Sequence, residues 1–233
     1  LFDPSEVDFF RERPQEFPVH EYSRDPEYAR VFRQYISINS RTATYIAPWE
    51  ESFGQYTKVL GVHFRGTDMK VAKSHWAPPT AFQMKYAIDL ALERTNFTHI
   101  FVATEDEGAL QSLVKRYGPR VVTTDSLRTN KTKKLIHLGS SIPQYRYFLG
   151  LQVLRDARLL AACSGLVSGH SNVSEHVQVM APKPLEVNLQ IRRPRVDIAG
   201  SHPTQIAITN FLRNSTTAKV LGPDFRLLDL SGT

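Results

Sequence analysis

From Thr57 onward the chain alternates short apolar runs with amphipathic stretches, and that alternation limits its fold more than any other feature. Runs at Lys58–Phe64, His99–Ala103, Arg120–Thr123, Gly165–Val167 and Pro184–Asn188 have the length and the β-branched or aromatic content of strands. Between them, apolar residues fall at helical spacing. A helix is expected over Pro79–Arg94, with Ala81, Met84, Ile88, Ala91 and Leu92 as its buried stripe. Another ends at Tyr117, where Gly118-Pro119 stops it, with Leu110, Leu113, Val114 and Tyr117 inward. A long helix over Arg146–Cys163 and one starting near Asn172 complete the pattern. Strands joined through helices pair in parallel, with helices covering both faces of the sheet. The expected fold is therefore α/β: a Rossmann-like, doubly wound, mostly parallel sheet.

The flanks read differently. Residues 1–56 are rich in Pro, acidic and aromatic residues. One helix is expected there, from Asp25 as N-cap and Pro26 as first residue to Ile36, with Tyr28, Val31, Phe32 and Tyr35 as an apolar stripe. The rest, including the APWEESFG run at 47–54, reads as an irregular approach to the first strand. After Gln190 the pattern weakens, and Ile206–Leu212 is the one further helix it supports. The reading is a lead-in segment at 1–56, left from a preceding domain, a Rossmann-like domain at 57–190 and a tail at 191–233. The opening LFDPSEVDFF has neither Met nor a signal-peptide pattern, as expected of a piece of a longer, cytoplasmic protein.

Composition narrows the function classes. Lys and Arg number 29 against 23 Asp and Glu, a net charge of +6 that suits an anionic ligand. The basic clusters, Lys131, Lys133, Lys134 and Arg192, Arg193, Arg195, are not interleaved with aromatics, so no nucleic-acid partner is expected. No apolar run approaches the ~20 residues of a membrane span. The single cysteine, Cys163, has no internal disulfide partner and reads as a small core residue. The histidines are scattered without H-x-x-x-H or C-x-x-C pairs, so no metal site is expected. Neither GxGxxG nor GxxxxGK[ST] is present.

Three strand ends collect polar groups: His63, Arg65 and Asp68; Thr104, Glu105 and Asp106; and His170, Ser171 and Asn172. In open α/β sheets ligands bind at the carboxyl ends of strands, so these groups are candidates for one cleft. Arg65 offers the planar fork that suits phosphate. Ser171 or Asn172 would cap a helix whose free amides suit an anion. Asp156, within the long helix, needs a partner: Arg155, Arg158 or the N–H groups of a base. GHSNV also matches part of the Gly-x-Ser turn of serine hydrolases, with Asp197 and His202 as partners, but Val173 stands where the second Gly belongs.

Taken together, GVHFRGTD, FVATEDEGAL and VLRDARLLAACSGLVSGHSNVSEH resemble, in order and spacing over residues 57–190, the three motifs of the core α1,6-fucosyltransferase and nodulation-fucosyltransferase group. The resemblance implies the C-terminal, nucleotide-sugar-binding half of a GT-B glycosyltransferase. Such an enzyme transfers fucose from GDP-fucose, a donor substrate rather than a cofactor, to a glycan hydroxyl, with inversion and without a metal. It also implies a missing N-terminal domain in the full-length protein.

By position, His63 and Asp156 would contact guanine, Arg65 the β-phosphate, and Asp68 would support that loop. Glu105 or Asp106 would face the nucleotide, while Ser171 and Asn172, beside His170, would bind phosphate. Two departures stand out: Gly66 replaces a second Arg, and Lys73 replaces a Glu that is a candidate base. The base would then be His75, Glu105 or Asp106. A nucleotide-binding module without transferase activity is the alternative from another class.

Overall fold

The computed structural model describes residues 26–66, 78–130, 144–192 and 226–231. Helices α1 (Pro26–Tyr35) and α2 (Ser40–Phe53) lead into β1 (Val59–Phe64). Then follow α3 (Ala81–Arg94), β2 (His99–Thr104), α4 (Glu107–Tyr117), β3 (Val121–Val122), α5 (Tyr145–Ala161), β4 (Gly165–Gly169), α6 (Asn172–Met180), β5 (Val187–Arg192) and β6 (Arg226–Asp229). The sheet order is β3-β2-β1-β4-β5-β6. The first five strands run parallel and β6 pairs antiparallel with β5, Arg192 opposite Arg226. This is the α/β, Rossmann-like sheet that the alternation predicts.

Period-two alternation divides the core into two layers. Leu60, Val62, Ile100, Val102, Val167 and Leu189 face α3 and α4. Val59, Phe101, Leu166 and the apolar side chains of α2, α5 and α6 fill the other side. All six residues of β1 are buried, as suits a central strand covered on both faces. Thr80 caps α3 in a reciprocal box with Gln83, which starts that helix two residues after the expected Pro79. Its Arg94 reaches Asp229 and so ties α3 to β6. Cys163 is buried, its Sγ–H donates to the Leu159 carbonyl at 3.3 Å, and burial pushes its thiol pKa up.

The structure corrects four expectations. Residues 40–53 are helical, not irregular. Asn39 accepts from the Thr42 amide, and Thr42, Ile46, Trp49 and Phe53 then lie on the sheet side, burial that outweighs the interior Pro48. The apolar stripe of α1 is not buried: Tyr28, Val31 and Tyr35 stay exposed. That helix docks through Phe32, half-buried and edge-on to the His176 ring of α6, and through Arg33, whose Nη1 donates to the Val179 carbonyl at the end of α6 at 3.1 Å. The last parallel strand starts at Val187, because its pairing with Gly165 on β4 sets its place. The antiparallel β6 was not anticipated. The proposed cap Asp25 and the Ile206–Leu212 helix lie outside the described residues. Among the described residues no helix is long and apolar enough to cross a membrane.

Gly165 shows how tightly the sheet meets its cover. A Cβ there would sit 2.6 Å from Phe97 Cζ and 3.2 Å from a Leu60 methyl, both in buried side chains. Gly165→Ala is expected to cost about 1–3 kcal/mol, read as a lower urea midpoint at unchanged m-value.

Candidate functional site

The polar ends of β2, β1 and β4 are neighbours in the sheet, and the strand order reverses between β1 and β4. A crevice opens at such a switch point. Here it holds a cavity of about 440 Å³, reached by His63 in β1, Arg65 just after it, Glu105 after β2, Ser126 after β3, Asp156 on α5 and Val173 on α6. Leu127, Leu149, Val153 and Leu160 supply an apolar wall. Its size and its few convergent polar groups are those of a small-molecule site.

His63 is buried in β1 between Ala103 and Ser168. Burial, and then the nearby Arg65 charge, lower its pKa to about 4, so the ring is neutral at physiological pH. Its Nδ1 lies 3.3 Å from Ser171 Oγ. That oxygen also accepts from the Ser174 amide, so the start of α6 and the ring of His63 share one hydroxyl.

Arg65 follows two residues on, half-buried in the cavity wall. The Gly66 amide donates to Glu105 Oε1 at 2.7 Å, so one carboxylate oxygen of Glu105 braces the end of β1. A Cβ at Gly66 would sit 2.9 Å from the Phe64 ring and 3.3 Å from Asp106 Oδ2. The space that a second arginine would need is closed in this chain.

Asp106 does not line the cavity. It is the N-cap of α4, accepting from the Ala109 amide at 2.9 Å, while its own amide donates to Thr104 Oγ1 at 3.1 Å. Ser171 likewise caps α6, in a reciprocal box with Ser174. Asn172 is exposed at the first position of that helix. His170 is buried beside Glu175, with Nε2 to Oε1 at 4.0 Å, and lies outside the cavity wall. The amides of Asn172 and Val173 have no intrahelical acceptor by geometry, so the positive end of α6 faces the cavity at Val173.

The carboxylate of Asp156 accepts from Thr124 Oγ1 at 2.9 Å, Ser126 Oγ at 2.6 Å and Arg155 Nε at 3.1 Å. A carboxylate has about four acceptor positions, so Asp156 keeps room for a ligand donor. Of the two arginines considered as its partner, the structure selects Arg155; Arg158 pairs with Glu50 at 2.7 Å. The further contacts of Arg155 with Asp125 and Ser126, and the hydroxyls of Thr124 and Ser126 on Asp156, were not anticipated. Their only signal in the sequence was a carboxylate in an apolar helix that required partners.

The serine-hydrolase reading loses its geometry. Ser171 has φ −161° and ψ 158°, ordinary extended backbone rather than a strained elbow, and its buried hydroxyl is engaged in capping. Asp197 and His202, like Asp68, Lys73 and His75, lie outside the described residues. Among the described residues no three His, Cys, Asp or Glu side chains are grouped to hold a metal ion.

The fold has counterparts among solved structures. The chain is similar to NodZ α1,6-fucosyltransferase co-crystallized with GDP, at TM-score 0.53 and 16% identity over 82% of this chain and 62% of that one. The same enzyme soaked with GDP-fucose matches at TM-score 0.52 and 16% identity, over 98% of this chain and 67% of that one. The selenomethionine NodZ from Bradyrhizobium matches at 0.51 and 17%, over 82% and 62%. This chain shares the fold of those fucosyltransferase structures. It spans about three fifths of the length of the GDP-bound one. No protein-family model matches the sequence, and no curated protein matches it significantly.

Proposed function

We propose that this chain is the donor-binding part of a fucosyltransferase-type glycosyltransferase that uses GDP-fucose or another GDP-sugar. The observation that carries the reading is the cavity at the switch point, where Arg65, neutral His63, Asp156 and the start of α6 converge. The apolar wall of Leu127 and Val153 suits the faces of a base, and the remaining acceptor position on Asp156 suits its N–H edge. Arg65 and the α6 amides suit a diphosphate. Transfer would be a direct displacement at the anomeric carbon with inversion. A base takes the acceptor hydroxyl's proton as the new C–O bond forms, and the old bond breaks toward GDP. Charge growing on the diphosphate is taken up by Arg65 and the helix amides. Glu105, which lines the cavity, is the preferred base; His75 is the competitor. The acceptor is a glycan hydroxyl, and the donor needs no metal.

The test is calorimetric titration with GDP and, in parallel, UDP, both with EDTA present. GDP is expected to bind more tightly than UDP and without metal. Arg65→Ala is expected to weaken GDP about thirtyfold, roughly 2 kcal/mol. A folded chain that binds neither nucleotide, or binds GDP equally well without Arg65, would overturn the reading. The closure of the Gly66 position favours a second reading, a nucleotide-binding module that has lost transfer. Sugar release from GDP-fucose by the full-length protein separates the two.

A further inference from the structure

Arg155 heads the largest fully buried side chains of the described residues, at 0% exposure, and it does not line the cavity. Its guanidinium carbon lies 4.3 Å from the centroid of the Trp49 ring. Nη1 donates to Asp125 Oδ1 at 2.6 Å and reaches Tyr45 Oη at 3.5 Å; Nη2 donates to Ser126 Oγ at 2.7 Å, and Nε to Asp156 Oδ1 at 3.1 Å. Three segments far apart in sequence, α2, the loop after β3 and α5, thus meet on one cation. The pairing is unequal. The Asp125 side chain is 70% exposed and well served by water, whereas the guanidinium has no solvent at all. A buried cation has to find acceptors. The requirement of Arg155 therefore draws the loop inward, and with it come Ser126 and Leu127, both of which line the cavity. Without Arg155 the described side-chain ties between this loop and α5 are Thr124 and Ser126 to Asp156, and Gln152 Oε1 to the Leu127 amide at 3.1 Å.

We propose that Arg155 is a positioning residue that clamps Asp125 and Ser126, so that Ser126 and Asp156 present a fixed polar edge to the base of the bound nucleotide. The proposal rests on the nucleotide reading above for its ligand. The clamp itself is a property of the free chain.

The experiment combines amide hydrogen exchange on the ligand-free chain with titration of GDP and UDP, for the wild type, Arg155→Met, Arg155→Lys and Asp125→Ala. In Arg155→Met the amides of residues 124–128 are expected to exchange about tenfold faster, while those of β1 and β4 keep their rates. GDP is expected to bind about tenfold more weakly, and the preference for GDP over UDP to shrink by a similar factor, about tenfold. Arg155→Lys keeps the charge but not the three-way fork, and falls between.

Should Arg155→Met fail to fold, Asp125→Ala decides. Its side chain is largely in water, and it should move loop exchange and selectivity in the same direction by about threefold. Unchanged loop exchange in both Asp125→Ala and Arg155→Lys overturns the clamp. Equal weakening of GDP and UDP overturns the positioning role, because a residue that only stabilises the fold lowers both alike. If the wild type binds neither nucleotide, the nucleotide reading and the base-presenting role fall together, and the exchange data alone still decide the clamp.

Discussion

Phe101→Ala is expected to destabilise the protein by about 4 kcal/mol, the largest single-residue loss predicted for the described core. Phe101 is 1% exposed at the middle of β2. It meets Phe53 of α2 edge to face, with ring centroids 5.2 Å apart. Opposite it on β1 is Gly61, which has no side chain because Leu160 and Cys163 occupy that space. Truncation would open a void beneath α2 and α5. β2 is paired on both edges, with β1 and β3, so the sheet has little freedom to close it. The loss combines the transferred surface, the empty volume and the aromatic pair, which contributes about 1 kcal/mol. Against a typical total of about 5–15 kcal/mol it is severe. Urea unfolding measures it. Phe101→Leu should fall well short of the alanine loss, and an alanine loss under about 1.5 kcal/mol would mean that the layer under α2 is not packed as described.

Acidification from pH 7 to pH 4 is expected to remove stability through His63, by an amount on the order of 3 kcal/mol. Above the ordinary histidine pKa, 6.5 here, neither state carries the second proton that charges this ring. As the pH falls below that value, the unfolded chain protonates first. The folded ring resists until about pH 4, because burial and the Arg65 charge both oppose a cation there. The unfolded state therefore binds more protons through this window, and stability declines with it, levelling off once the folded ring also protonates. Urea midpoints between pH 7.5 and pH 4 measure the slope for the wild type and for His63→Gln. The variant should lose this component and keep the background from the carboxylates. Identical slopes would mean that His63 is hydrated, or holds its proton, in the folded state.

Much of the fold was legible because its signals are local. β1 and β2 were placed nearly to the residue: a short apolar run between polar neighbours has few ways to be buried other than as a central parallel strand. The gathering of the three polar strand ends was legible for the same reason, since parallel strands put all their carboxyl ends on one edge. Helix α2 was missed although Thr42, Ile46, Trp49 and Phe53 fall at helical spacing, because Pro48 and two acidic residues dominate the same stretch. Most of the α1 stripe has good spacing and yet stays exposed, with Phe32 alone of its four residues meeting a ring of α6, which shows that periodicity gives a helix its faces without ensuring that they are covered.

Strand positions, capping residues and the polarity of the cleft follow from near neighbours along the chain, and composition and order were enough to find them. The start of β5 and the existence of β6 follow from pairing between segments distant in sequence, which carry little pattern of their own. The same division runs through the cavity. That His63, Arg65 and Asp156 were candidates could be read from their places at strand ends and in an apolar helix. That His63 is held neutral and that Arg155 turns inward to Asp125, Ser126 and Trp49 depended on burial and on the field of groups brought close only by folding. Desolvation and Coulomb terms act through space, and a sequence does not state distances in space.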